Sequence, residues 1–263
     1  AAARGELIVF SDANAMYEPD AVRYLAAAFA DPAVGYVVGA ALYHDPQCNL
    51  AAESEGLYCK LEMTLKRLES AFDSVVGGDG AIYAIRRSLF WELQDDDISD
   101  FVNPLLIVAA GHRGLFEPRA KCWEHAGDRF EKEFGRKRRI VNRTWRAFRR
   151  YGGHLDQGRH PRFLFMLWSH KVIRWFAAPL IAVAWIANTF LLGAGGLYAL
   201  TWATIALSVV LAWRGRRLEA RGRPLPKIVA LLDYFYAVNL AGILGIWDEA
   251  RGVRHATWDH IRK

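Results

Sequence analysis

Residues 7–15, Leu-Ile-Val-Phe-Ser-Asp-Ala-Asn-Ala, decide how the first part of the chain is read. Leu7–Phe10 is a short apolar run of the buried-strand type. Ser11 to Ala15 follow as a polar turn at the strand's carboxyl end, where layered α/β folds gather their ligands. Glu18-Pro19-Asp20 then opens a helix over about residues 19–30, with acids and proline in its first turn. Outward from this unit the alternation continues. Tyr36–Ala41 reads as a strand, and residues 51–72 as a helix, because Leu57, Leu61, Leu65, Leu68 and Phe72 recur at spacings of 3 and 4. Gly77-Gly78-Asp79-Gly80 forms a flexible turn before a strand Ala81–Ile85. Phe101–Ala110 reads as a helix stopped by Gly111, Leu115-Phe116 and Ala120–Trp123 as short strands, and about 129–151 as a basic helix. Strands alternating with helices give an α/β class.

The 263 residues divide by charge. Residues 1–128 carry 20 acids against 10 Lys and Arg, and residues 129–263 carry 8 against 24, which gives the net +6. The mean hydropathy of +0.03 therefore averages two unlike halves. The basic half holds uncharged runs at 175–192 and 195–213, each long enough to span a hydrocarbon core of about 30 Å. A third run, 228–247, is interrupted only by Asp233 and Asn239. Arg214, Arg216, Arg217, Arg221, Arg223 and Lys227 lie between the second and third runs, and Lys171 and Arg174 precede the first. The positive-inside rule puts both flanks in the cytoplasm, with the region before residue 170. A third crossing would carry the basic tail 251–263 outside, so a re-entrant or interfacial third segment fits better. Residues 161–174 read as an interfacial helix, with Phe163, Leu164, Leu167 and Trp168 toward lipid. Ten Trp suit an interface with lipid or sugar. Cys48, Cys59 and Cys122 make neither a disulfide framework nor a zinc spacing, and Cys122-x-x-His125 is only half a metal site.

Three carboxylates, Asp12, Asp79 and Asp100, stand at strand ends or helix starts, and Arg136-Lys137-Arg138-Arg139 follows them. Acids plus arginines beside a membrane suit chemistry on a phosphorylated donor: carboxylates hold a divalent cation, an arginine neutralises a leaving diphosphate, and another carboxylate deprotonates a hydroxyl. Asp12, Asp79 and Asp100 also have plain readings as turn or cap residues. Asp95-Asp96-Asp97 reads as a solvated acidic loop. The ten basic residues between 129 and 150 could equally bind anionic lipid.

The ordered set Phe10-Ser11-Asp12-Ala13-Asn14, Gly78-Asp79-Gly80 to Arg87, Ser99-Asp100-Phe101, Gly111 to Pro118, Arg136 to Arg143 and Trp168 to Trp175 resembles the membrane-embedded family-2 glycosyltransferases, the group of cellulose, chitin and hyaluronan synthases. The resemblance implies a truncated GT-A domain, Rossmann-like and cytoplasmic, over 1–128, then basic and interfacial helices over 129–174 and a membrane region over 175–263. It implies inverting transfer from a nucleotide-sugar donor to a glycan or lipid-linked acceptor, in a bacterial inner membrane, with Mg²⁺ or Mn²⁺. Asp12 matches the first acid of the metal motif, with Asn14 in its third position. Asp100 matches the general base, with Ser99 in place of a preceding acid. Arg139 matches the diphosphate arginine, while Arg136 and Ile140 replace Gln and Trp of that motif. Asp79, Gly80 and Tyr83 fall on the acceptor side, and Arg86 and Arg87 read as exposed strand-end charges. The family's first strand and its base- and ribose-binding acids do not precede Leu7, so the 263 residues are expected to be the weakly active C-terminal part of an enzyme.

The alternative is a non-catalytic membrane scaffold among export-complex subunits. Nucleic acid is not an expected partner, because stacking aromatics do not accompany the arginines. A transporter would use Asp233 and Asn239, yet three helices are few for a pore.

Overall fold

The computed structural model describes residues 3–44, 50–125, 130–155, 159–223 and 225–254. Its centre is a five-stranded sheet of order β1-β4-β3-β5-β2, formed by β1 (Leu7–Phe10), β2 (Met16–Tyr17), β3 (Val34–His44), β4 (Tyr83–Arg86) and β5 (Arg113–His125). Among the described residues β3 and β5 pair in parallel and the other neighbours are antiparallel. The two short strands expected at 115–116 and 120–123 are one strand. Its register against β3 jumps between Val38 and Ala40, the break that Pro118, which has no N–H to give, requires.

β3 is apolar on both faces, and each face feeds its own core. Val34, Val37 and Ala41 pack with Ala21, Leu25 and Phe29, from α1 (Ala21–Ala27) and the turn after it. Tyr36, Val38 and Ala40 pack with Val102, Leu105 and Leu106 of α3 (Ser99–Ala109) and with Ala147 of α4 (Phe130–Tyr151). Helices therefore cover both faces, as in any sheet whose strands are apolar throughout. Gly114 is required under the Tyr36 ring, since a β-carbon there would stand inside it. The long helix α2 (Leu50–Phe72) runs to the turn that carries Asp79.

α5 (Pro161–Leu167) continues through a π turn (Trp168–Val172) into the single turn α6 (Ile173–Trp175). This segment presents only part of the face expected from sequence, Trp168. Phe163 and Leu167 are buried in the core, while Phe165, Trp168 and Ile173 are exposed. Next comes α7 (Ala177–Phe190), bent by 66° from the segment before it. Pro179 explains the break, because it offers no N–H to the Trp175 carbonyl. The run 175–192 is thus not one spanning helix, since 14 residues reach only about 21 Å.

α8 (Gly196–Glu219) and α9 (Lys227–Ala250) are each long and apolar enough to cross a membrane. α9 is unbroken, so the third run is not a re-entrant hairpin. It buries one stripe along its whole length, Val229, Asp233, Ala237, Ala241, Gly245 and Asp248. The N-terminal part of that stripe meets α8, where Arg216 pairs with Asp233 and a β-carbon on Gly215 would meet Val229. The C-terminal part meets α4. Arg138 makes two hydrogen bonds to Asp248, at 2.6 and 2.7 Å, and the Asn142 amide donates to the Gly245 carbonyl. Cys48, the side chains of Cys59 and His125, and the tail from His255 lie outside the described residues.

Candidate active site

Gly80 sits between two carboxylates. A β-carbon there would lie 3.4 Å from Asp12 Oδ2 and 3.6 Å from Asp100 Oδ2. β1 delivers Asp12 at its carboxyl end, and the Ala15 N–H closes the turn by donating to the Asp12 carbonyl. Asp100 does not cap its helix. Ile98 holds the cap position and Asp100 lies in the first turn of α3, where an acid also suits the dipole. The Gly78 N–H donates to the Asp100 carbonyl, which ties the glycine turn to the helix start. Beneath them Tyr83 stacks on Phe10 at 4.4 Å and accepts a hydrogen bond from Asn103. Tyr83 therefore supports the floor of the site. Asp79 is tied to Lys66 of α2 at 2.8 Å.

The cluster holds more negative charge than it neutralises. Burial, then the charges of Asp79 and Asp12, push the Asp100 carboxyl up to about 6, against the pull of Lys171 and Lys66. Asp100 Oδ1 is buried and has no hydrogen-bond partner among the described residues. Asp12 is raised by the same causes, burial and then Asp79, while Arg136 opposes them. A further acid was not expected. Glu124, near the carboxyl end of β5, is pushed up to about 7 by burial, Asp12 and Asp79, and hydrogen-bonds Asn14. Ending the strand at Trp123 hid it, and strand-end position was the signal that marks it.

Of the predicted residues, Asp12, Asn14, Asp79, Gly80 and Asp100 thus come together, with Arg136 near enough to act on Asp12 and Glu124. Arg139 is half-buried on α4. Arg138, in the same basic run, serves α9 instead. Arg86 is not a bare strand-end charge, because its guanidinium donates to the carbonyls of Val34, Phe29 and Asp31. Nor is the acidic loop solvated. Asp96 and Asp97 are buried, and Arg150 lies 2.9 Å from the first and 2.6 Å from the second.

Among the described residues no three His, Cys, Asp or Glu side chains form a cage for a metal ion. A divalent cation that shares its shell with phosphates needs only one or two carboxylates, and this crowded, cation-poor cluster suits one.

A cavity of about 650 Å³ opens beside Asp100. Gly77, Ile140 and Thr144 line it on one side, and Tyr234, Phe235 and Val238 of α9 on the other. Lys137, Lys171 and Arg174 also reach it. The π turn holds His170 between Glu62 at 2.8 Å and Glu69 at 2.5 Å, and the next residue is Lys171.

No protein family's model matches the chain, and no curated protein does. A solved structure does: the mannosyltransferase PcManGT from Pyrobaculum calidifontis in complex with GDP-Man and Mn²⁺, at a TM-score of 0.61 and 21% identity. The match covers 94% of this chain and 64% of that one, so the chain spans under two thirds of the neighbour's length. The two share a fold.

Proposed function

We propose that the chain is part of an inverting, family-2 type glycosyltransferase, which moves a sugar from a nucleotide-diphospho-sugar to a hydroxyl of a glycan or lipid-linked acceptor at the cytoplasmic face of a membrane. One observation carries the reading: Asp12 and Asp100 face each other across Gly80, on the fold of an enzyme that binds GDP-Man and Mn²⁺. Asp100 is the general base. A carboxyl with a pKa of about 6 is ionised at neutral pH yet basic enough to take a hydroxyl proton as the bond forms. The acceptor oxygen attacks the anomeric carbon, the bond to the diphosphate breaks on the opposite face, and the proton goes to Asp100. Asp12 and Asn14, with Glu124 behind them, would hold Mg²⁺ or Mn²⁺, which when bound neutralises the diphosphate. Arg136 and Arg139 add positive charge for the leaving group, and Asp79, set by Lys66, borders the acceptor.

Full-length protein in membranes, given UDP-, GDP- and dTDP-sugars in turn, should release nucleotide from one class with a divalent cation present. Asp100→Asn should abolish that release. If no donor is consumed and cells carrying Asp100→Asn keep their surface glycan, the chain is a scaffold and the enzyme reading is wrong.

A further inference from the structure

Asp100 is joined to a turn that its own composition would leave loose. Gly77, Gly78 and Gly80 lie in it, and Gly77 takes a φ of +89°, in the left-handed region. The hold on this turn comes from α2. Just before it the Val76 N–H donates to Glu69 Oε2 at 3.0 Å, and farther along Asp79 pairs with Lys66 at 2.8 Å. Between those two points the Gly78 N–H donates to the Asp100 carbonyl. Lys66 and Glu69 are neighbours on one face of α2, so that face grips the turn on both sides of Gly78.

α2 is gripped in its turn by the π turn. Nδ1 of His170 lies 2.5 Å from Glu69 Oε1, and Nε2 lies 2.8 Å from Glu62 Oε2, about two helical turns away. Glu69 therefore gives one oxygen to the glycine turn and the other to the segment that leads into the apolar helices. The stem of Lys171 bears on the glycine turn directly, with its Cε 3.9 Å from where a Gly77 β-carbon would be. Glu69 and His170 are buried, and neither lines the cavity beside Asp100. A buried charged pair stabilises a fold little better than an apolar contact of the same size, while a fully satisfied polar network makes its surroundings rigid.

We infer that Glu69 and His170 are positioning residues for the transfer reaction: together they lock the glycine turn, and with it the backbone of Asp100, to the segment that leads into the apolar helices. The inference rests on the glycosyltransferase reading for the reaction, whereas the hold on the turn is a property of the fold alone.

Full-length protein in membranes is assayed with whichever of the UDP-, GDP- and dTDP-sugars it consumes, for kcat and donor KM separately. His170→Gln and Glu69→Ala should each lower kcat about 10–100-fold, the scale of a base displaced by about 1 Å, and leave donor KM unchanged. Both break one chain of contacts, so the double variant should be no slower than the slower single one. Glu69→Gln keeps an oxygen for Val76 and an amide for His170, and should restore most of the rate. Arg86→Gln, which strips bonds to Val34, Phe29 and Asp31, should lower the melting temperature at unchanged kcat. Amide exchange without donor should quicken over residues 76–80 in His170→Gln and Glu69→Ala by about tenfold, the scale of one lost hydrogen bond, and stay unchanged over β3. The inference is overturned if His170→Gln lowers the melting temperature yet keeps kcat, or if the two losses multiply in the double variant. If Glu69→Ala does not fold, a slow His170→Gln beside an active Glu69→Gln supports the inference, and equal rates overturn it. A donor panel that fails for the unmodified protein overturns the enzyme reading. Unchanged exchange over 76–80 overturns the hold on the turn, whether or not a donor is consumed.

Discussion

At the scale of single residues, the site is governed by carboxylates that raise one another's pKa. Asp100 binds its proton more tightly in the folded protein than in the unfolded chain, so its ionisation removes stability as pH rises from the ordinary carboxylate value through about 6. Asp100→Asn should therefore raise the melting temperature at pH 7.5, by the equivalent of about 1–3 kcal/mol, and lower nucleotide release by about 10²–10⁴-fold. Turnover of the unmodified protein should climb with pH through about 6, and a flat profile between pH 5 and 7 would remove Asp100 as the base. Gly80→Leu should stop turnover without loss of fold, because its side chain would occupy the gap between Asp12 and Asp100. Asp12 and Asp100 were legible in the sequence because each ends or opens an element. Glu124 and Lys171 were not. Glu124 fell just past the strand expected at Ala120–Trp123, and Lys171 read as a snorkelling flank of an apolar run, while the fold brings the charges of both to the carboxylates.

At the scale of elements, the loop before α3 is held by α4. Arg143 donates to the backbone carbonyls of Asp96 and Asp97, Arg150 pairs with both side chains, and the Tyr151 hydroxyl donates to Asp97 at 2.6 Å. Three consecutive acids read in isolation as a solvated loop, because nothing local shows that three arginines of a distant helix, Arg143, Arg146 and Arg150, will meet Asp96 and Asp97. Asp97→Ala should cost about 3–5 kcal/mol, the scale of a broken buried pair, read as a fall in denaturation midpoint. The seam of α4 and α9 depends on a small residue. A β-carbon on Gly245 would stand 2.5 Å from the Arg138 carbonyl oxygen, so Gly245→Val should force the two helices apart and lower stability more than the same change at solvent-facing Gly153. The alternation of strand and helix was readable apart from β2, too short to show a pattern, and the division of β5 into two strands. The bend before α7 was not, because composition marked 175–192 as one apolar run and the break depends on where Pro179 falls.

At the scale of the whole molecule, apolar length and charge make separate statements about the bilayer. α9 is long enough to cross, and about 36 Å separates its ends. One end is docked on α4, the stretch from Leu231 to Gly242 lines the cavity beside Asp100, and the other end begins just after the arginine-rich link. If α9 stood upright, those arginines would lie on the far side from its contact with α4, against the positive-inside rule. A helix that lies along the interface satisfies both, with its buried stripe toward protein and Ile228, Leu240 and Trp247 toward lipid. Arg221→Cys should therefore react with an impermeant maleimide only in vesicles whose site-bearing face is outward. Labelling from the opposite face would make α9 a crossing helix. Sequence could count apolar residues and charges, but not tell which end of α9 would dock on α4.

The π turn at Trp168–Val172 sets the direction of the side chains within it. An α-helix turns about 100° per residue and a π turn absorbs one extra residue, so deletion of one residue there would restore regular pitch, reset the side chains within the turn and leave the segment after it in phase. Lys171 would leave the cavity, and His170 would lose Glu62 and Glu69 together. A deletion in the middle of α8 would instead rotate its C-terminal part and take Gly215 and Arg216 away from α9. The chain therefore has a short stretch that can lose one residue without turning the helix beyond it, at the cost of the contacts made inside the turn.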